Sequence, residues 1–144
     1  QDGAHVPEDL QRMWLVTECN ASETLIFGYH HQQPFSKSSV MMGKNIFNHS
    51  KKIMQDYDVR PQLPFLLTSN FSGGNQQKII LSREWNKDPK VLLVGQPTRG
   101  VDIGAIEFIH QRIIDMRDKG AAVLLVSVEL DEILSLADRI AFGR

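Results

Sequence analysis

Apolar positions in the second half of this chain alternate between two spacings, and the alternation predicts strands and helices in turn. Lys90-Val91-Leu92-Leu93-Val94-Gly95 and Ala122-Val123-Leu124-Leu125-Val126-Ser127 are short continuous apolar runs, the pattern of buried parallel strands. Between them Ile106, Ile109, Ile113 and Met116 form one stripe at helical spacing. Asp102 stands where the N-cap of that helix belongs, and Lys119-Gly120 closes it with a cation and a glycine suited to a left-handed end. Further helices are predicted from about Asn75 to Trp85, with Asp88-Pro89 beyond it, and from Leu130 to Ala137. Strand, helix, strand, helix in this order predicts an α/β fold with a parallel sheet.

The first half is less regular. Ala4-His5-Val6-Pro7 reads as a strand end, Ser22 to Phe27 as a short helix, and Tyr29 to about Lys44 as polar loop. From Asn45 to about Tyr57 an amphipathic helix is predicted, with Ile46, Ile53, Met54 and Tyr57 on one face and Lys51, Lys52 and Asp56 elsewhere. Asp58-Val59-Arg60-Pro61 ends it, because a residue before proline avoids the helical region. The apolar residues of Leu63-Pro64-Phe65-Leu66-Leu67 read as core. Three regions result: 1–28, a connecting region; 29–74, a helical subdomain; and 75–144, strands and helices of the main core.

Composition narrows the classes. A chain of 144 residues makes one domain or a large part of one. Its net charge of −1 offers no electrostatic argument for nucleic acid. The single cysteine, Cys19, forms neither an internal disulfide nor a thiolate cluster, which suits a reducing cytosol. No run of about eighteen apolar residues occurs, so no spanning helix is expected. The adjacent His30 and His31 lack a third ligand at suitable spacing and read as solvated loop, so no metal site is expected.

The candidate chemistry lies in Phe71-Ser72-Gly73-Gly74-Asn75-Gln76-Gln77-Lys78. Two glycines at a helix start let an anion approach unpaired backbone N–H groups at the positive end of the helix dipole. Ser72 adds a hydroxyl, while Asn75 and Gln76 add amides that suit ribose or phosphate oxygens. An ordinary serine-capped helix fits the same residues. Downstream, the apolar run ending at Gly95 leads into Gln96-Pro97-Thr98-Arg99-Gly100-Val101-Asp102.

Together, SGGNQQK and QPTRGVD resemble the signature motif, Walker B strand and D-loop of ABC-type transport ATPases, a branch of the P-loop NTPases. The wording is similar to the second ATPase half of importers for simple sugars and nucleosides, from Val6-Pro7-Glu8-Asp9 to Ala137-Asp138-Arg139-Ile140. The resemblance implies ATP and Mg²⁺ as cofactors and a cytoplasmic protein peripheral to the inner face of the cell membrane. Its implied partners are another ATPase half packed head to tail, transmembrane permease subunits, and indirectly an extracytoplasmic solute-binding protein.

Against that family pattern the chain departs at several positions. It contains no G-x-x-x-x-G-K-[ST] phosphate loop, which the resemblance implies lies before Gln1. Where the family places a Mg²⁺-supporting aspartate and a catalytic glutamate, the chain has Gly95 and Gln96. Glycine offers the metal no side-chain ligand, and a carboxamide orients water without accepting its proton. Val128 aligns with the switch histidine, and Glu8 with the Q-loop glutamine. Leu10 stands where the family has an arginine, and Met13 and Trp14 where it has an Asp-Gly turn; Met13 and Trp14 repack a loop or touch a membrane subunit.

These departures predict a degenerate site on this chain, inactive by itself; the resemblance implies that Ser72, Gly73, Gly74 and Gln76, with Asn75 among the binding residues, are donated in trans to the partner's nucleotide. Asp102 is either a D-loop residue at the dimer interface or a plain helix cap. Arg99 pairs with partner acids or is solvated. Two alternatives stay open: a non-catalytic dimerisation or regulatory module, and a DNA-repair type ABC ATPase, which the absence of a heptad repeat disfavours.

Overall fold

A computed structural model of the chain describes residues 3–6, 18–27, 36–37, 40–41 and 43–143. Glu8, Met13, Trp14, His30 and His31 lie outside the described residues. Strand β1 (Gly3–Val6) is followed by helix α1 (Ala21–Ile26), a short antiparallel pair β2 (Ser36–Lys37) and β3 (Val40–Met41), and helix α2 (Gly43–Asp56). Then come α3 (Gly73–Trp85), β4 (Val91–Gly95), α4 (Ile103–Asp118), β5 (Ala122–Val126) and α5 (Leu130–Leu136). The sheet order is β1-β4-β5, all parallel, with Gly3 opposite Val91 and Gly95 opposite Val126. The α/β alternation is therefore as the apolar pattern predicts.

Two cores form, and α3 belongs to both. Ile80, Leu81 and Trp85 pack with Leu92 and Val94 of the sheet and with Ile109, Ile113 and Met116 of α4. Ile79 turns the other way, toward Ala21, Leu25, Ile53, Met54, Val59 and Phe71 of the helical subdomain. A helix buried on nearly every side explains why α3 carries little amphipathic signal. Charged stems reinforce the junction: Lys78 stacks on Phe108 and Arg112 lies over both Tyr57 and Phe108.

Local signals act where expected. Gly120 adopts φ +96° and donates its N–H to Arg117 O, ending α4 as a left-handed residue should. Asp58 takes φ 47° after α2, and Val59 N–H closes the turn onto Met54 O.

Three expectations need correction. Strand β5 is not buried on both faces: Leu124 is 60% and Val126 48% exposed, because they lie on the sheet face opposite the one where Val123 and Leu125 pack against the core. The 63–67 segment is not core either, since only Pro64 and partly Leu66 turn inward while Leu63, Phe65 and Leu67 face out. Residues 36–41 contain a two-residue strand pair rather than continuous loop, and α2 starts at Gly43 instead of Asn45.

Candidate nucleotide-facing site

The Ser72 run opens α3. Ser72 is its N-cap, with extended backbone, and its Oγ accepts from Asn75 N–H at 3.4 Å. Asn75 also donates its Nδ2 to that Oγ at 2.9 Å, and its Oδ1 accepts Arg60 N–H at 2.8 Å. Gln76 gives its Nε2 to Phe71 O at 2.8 Å. The two amides thus brace the turn, leaving Ser72 and Gly73 as the exposed part of the motif.

The two glycines serve different ends. A Cβ on Gly73 would meet only Gly100 O, at 3.4 Å, whereas one on Gly74 would lie 2.8 Å from Asp102 Oδ2 and 3.0 Å from the Ala105 Cβ. Gly73 leaves the helix mouth open to a ligand, and Gly74 lets α3 and α4 meet. Asp102 performs the cap role, its Oδ1 accepting Ala105 N–H at 3.0 Å. Its carboxylate also lies against the signature helix, a contact that sequence spacing did not announce.

Gln96 and Val128, far apart in sequence, come together. Gln96 follows β4 with φ 47°, is 6% exposed, and donates its N–H to Val126 O at 2.8 Å. A left-handed glutamine is a strained position of the kind that clusters at functional sites. Its Oε1 accepts Val128 N–H at 3.4 Å, while the Val128 side chain is 78% exposed. Arg99 is exposed in the turn that follows.

The residues present do not make a cation site. The Gln96 carbonyl oxygen is turned to Val128 N–H, Gly95 has no side-chain donor, and no cluster of three His, Cys, Asp or Glu side chains occurs among the described residues. The exposed mouth of α3 does fit a phosphate oxygen, because the N–H groups of Gly73 and Gly74 have no intrahelical acceptor.

Sequence reasoning missed Thr98, His110 and Glu132. Thr98 Oγ1 donates to Glu132 Oε1 at 2.7 Å, and His110 Nε2 lies 2.9 Å from the same oxygen. Thr98 stood within the quoted PTRG run, but nothing in the spacing linked it to a glutamate on α5.

No family model matches the chain. Over 98% of its length it is 46% identical to the nucleoside import ATP-binding protein NupA of Lactococcus lactis, of which it covers 28%. Over 95% of its length it is 40% identical to the guanosine import ATP-binding protein NupO of Bacillus subtilis, of which it covers 27%. The chain matches part of an ABC ATP-binding protein. A xylose import ATP-binding protein of Thermoanaerobacter pseudethanolicus is a further relative, 34% identical over 95% of the chain and covered to 27%. Among solved structures, a nucleotide-free ATP-binding cassette from an ABC transporter matches 95% of the chain with a TM-score of 0.71 at 20% identity, over 55% of its own length. That likeness shows the ABC ATPase fold, a P-loop NTPase core, for this part of the domain. The chain spans little more than a quarter of the curated relatives it matches.

Proposed function

We propose that this chain is part of an ATP-binding subunit of an ABC importer for nucleosides or simple sugars. In this reading it donates Ser72 and the Gly73 N–H in trans, while its own Gln96–Val128 site does not hydrolyse ATP. One observation supports the asymmetry: Gln96 Oε1 pairs with Val128 N–H, which brings together a carboxamide and a valine where the resemblance expects the Walker B glutamate and the switch histidine. Neither is a general base, and neither holds a proton for the reaction. The head-to-tail partner half would supply most of the groups around ATP and Mg²⁺.

ATP, when bound, would supply a polyphosphate, and Ser72 and Gly73 at the mouth of α3 are the residues that would hold its phosphate oxygens. The Ser72 hydroxyl and the Gly73 N–H would donate hydrogen bonds to negative charge there, aided by the helix dipole. Asn75 and Gln76 hold the turn in place, so little reorganisation is needed when the two halves close. Asp102, at the start of α4, fixes the signature helix against the D-loop. The subunit would sit at the cytoplasmic face on transmembrane permease subunits that receive solute from an extracytoplasmic binding protein.

The test is ATP turnover by the complete transporter carrying Ser72→Arg. A bulky cation at the helix mouth is expected to reduce turnover by about 100-fold or more, the scale of losing a transition-state donor. Unchanged turnover would sink the trans-donation reading and favour a non-catalytic, regulatory module.

A further inference from the structure

Glu132 is the one carboxylate that three elements of the site share. It lies in the first turn of α5, is 4% exposed, and directs Oε1 at both Thr98 and His110, while its Oε2 has no partner among the described residues. Burying such a group costs stability unless donors compensate it, so an apolar side chain would serve plain packing better. We propose that Glu132 is a positioning residue that fixes the Gln96–Val128 pair against α4.

The geometry supports this from both sides. Thr98 lies two residues beyond Gln96, in a turn closed by Arg99 N–H to Gln96 O at 3.2 Å and Val101 N–H to Thr98 O at 3.3 Å. Glu132 follows the 127–129 segment, whose Val128 N–H reaches Gln96 Oε1. Thr98–Glu132 at 2.7 Å therefore runs beside the longer Gln96–Val128 bond of 3.4 Å and ties the same two segments. His110 adds the third element. It lies on α4, the helix whose cap, Asp102, abuts Gly74 of the signature. One oxygen thus joins the turn after β4, the segment after β5 and the helix that supports the nucleotide-facing serine.

The assay rests on the transport reading. ATP turnover against ATP concentration is measured in the complete transporter for Glu132→Ala, Glu132→Gln, Thr98→Val and Thr98→Ser. Glu132→Ala and Thr98→Val are each expected to lower kcat by about fivefold with KM within about twofold, the size of effect that contiguous packed networks transmit. Glu132→Gln keeps an acceptor oxygen and Thr98→Ser keeps the hydroxyl, so both recover most of the loss. The Glu132→Ala, Thr98→Val double variant is no slower than either single variant. Glutamine as damaging as alanine, additive losses, or an unaltered kcat in Glu132→Ala would each overturn the proposal. If Glu132→Ala fails to assemble, the Thr98→Val and Thr98→Ser pair decides it alone. Ser72→Arg in the same preparation separates the two readings: turnover lost there but intact in Thr98→Val rejects positioning only, while turnover intact in Ser72→Arg rejects trans-donation.

Discussion

Replacing Gly74 by alanine tests the contact on which the signature and D-loop geometry depends. The new methyl would lie 2.8 Å from Asp102 Oδ2 and 3.0 Å from the Ala105 Cβ, closer than carbon tolerates. Either Asp102 swings away and gives up its bond to Ala105 N–H, or α3 and α4 separate. Loss of an aspartate cap costs about 1 kcal/mol. Forcing a methyl between packed helices costs about 1–3 kcal/mol. Alanine's advantage over glycine within a helix offsets about 0.5–1 kcal/mol of either. With the packing cost at its mid-range of about 2 kcal/mol, the expected balance is a destabilisation of about 1 kcal/mol. Gly73→Ala is the internal control, since its methyl meets only Gly100 O at 3.4 Å, and it is expected to change stability by less than about 0.5 kcal/mol. Urea unfolding of the two variants reads the difference as separated midpoints with unchanged slope. Adding Asp102→Ala removes the clashing carboxylate, so Gly74→Ala should cost at least about 0.5 kcal/mol less in that background. Equal midpoints for Gly73→Ala and Gly74→Ala would refute the close approach of the two helices.

Two other predictions concern the same half of the molecule. Asn75→Ala leaves Arg60 N–H without its acceptor and Ser72 Oγ without the Nδ2 donor, so a loss of about 1–2 kcal/mol is expected in urea unfolding; a neutral result would mean the amide does not brace the turn. Burial, with a smaller contribution from the Lys52 ammonium, holds His49 below its ordinary pKa. The unfolded chain therefore takes up a proton near pH 6.5 before the folded one does, and stability falls as pH drops through about 6.5 until the folded imidazole also titrates. His49→Gln should flatten that slope in melting temperatures measured between about pH 7.5 and 5, and an unaltered slope would assign it to another group.

Much of the fold could be read from the sequence because its signals are local. The apolar stripe of Ile109, Ile113 and Met116, the Asp102 cap and the Gly120 terminus each act within a few residues, and each stands where the pattern placed it. The errors fall where neighbours decide. Leu124 and Val126 belong to a strand whose composition suits burial, yet their exposure depends on what covers the sheet face opposite Val123 and Leu125. Phe65 is 64% exposed although apolar, because its segment lies over the helical subdomain with only alternate residues turned in. At the candidate site, motif wording singled out Ser72, Gln96 and Val128. It could not tell that Asn75 and Gln76 brace the turn from within, that Gly74 is a packing glycine, or that Glu132 gathers Thr98 and His110. Those are contacts between segments, and a single sequence carries no record of them.

The central claim is that Ser72 serves a nucleotide held by another ATPase half. It is tested most directly by labelling the complete transporter, carrying Ser72→Cys, with an ATP analogue that bears a thiol-reactive group on its γ-phosphate. The account predicts labelling at position 72 that disappears when the phosphate loop of the partner half is disabled. Labelling that persists after that change, or none while the analogue remains bound, would contradict it.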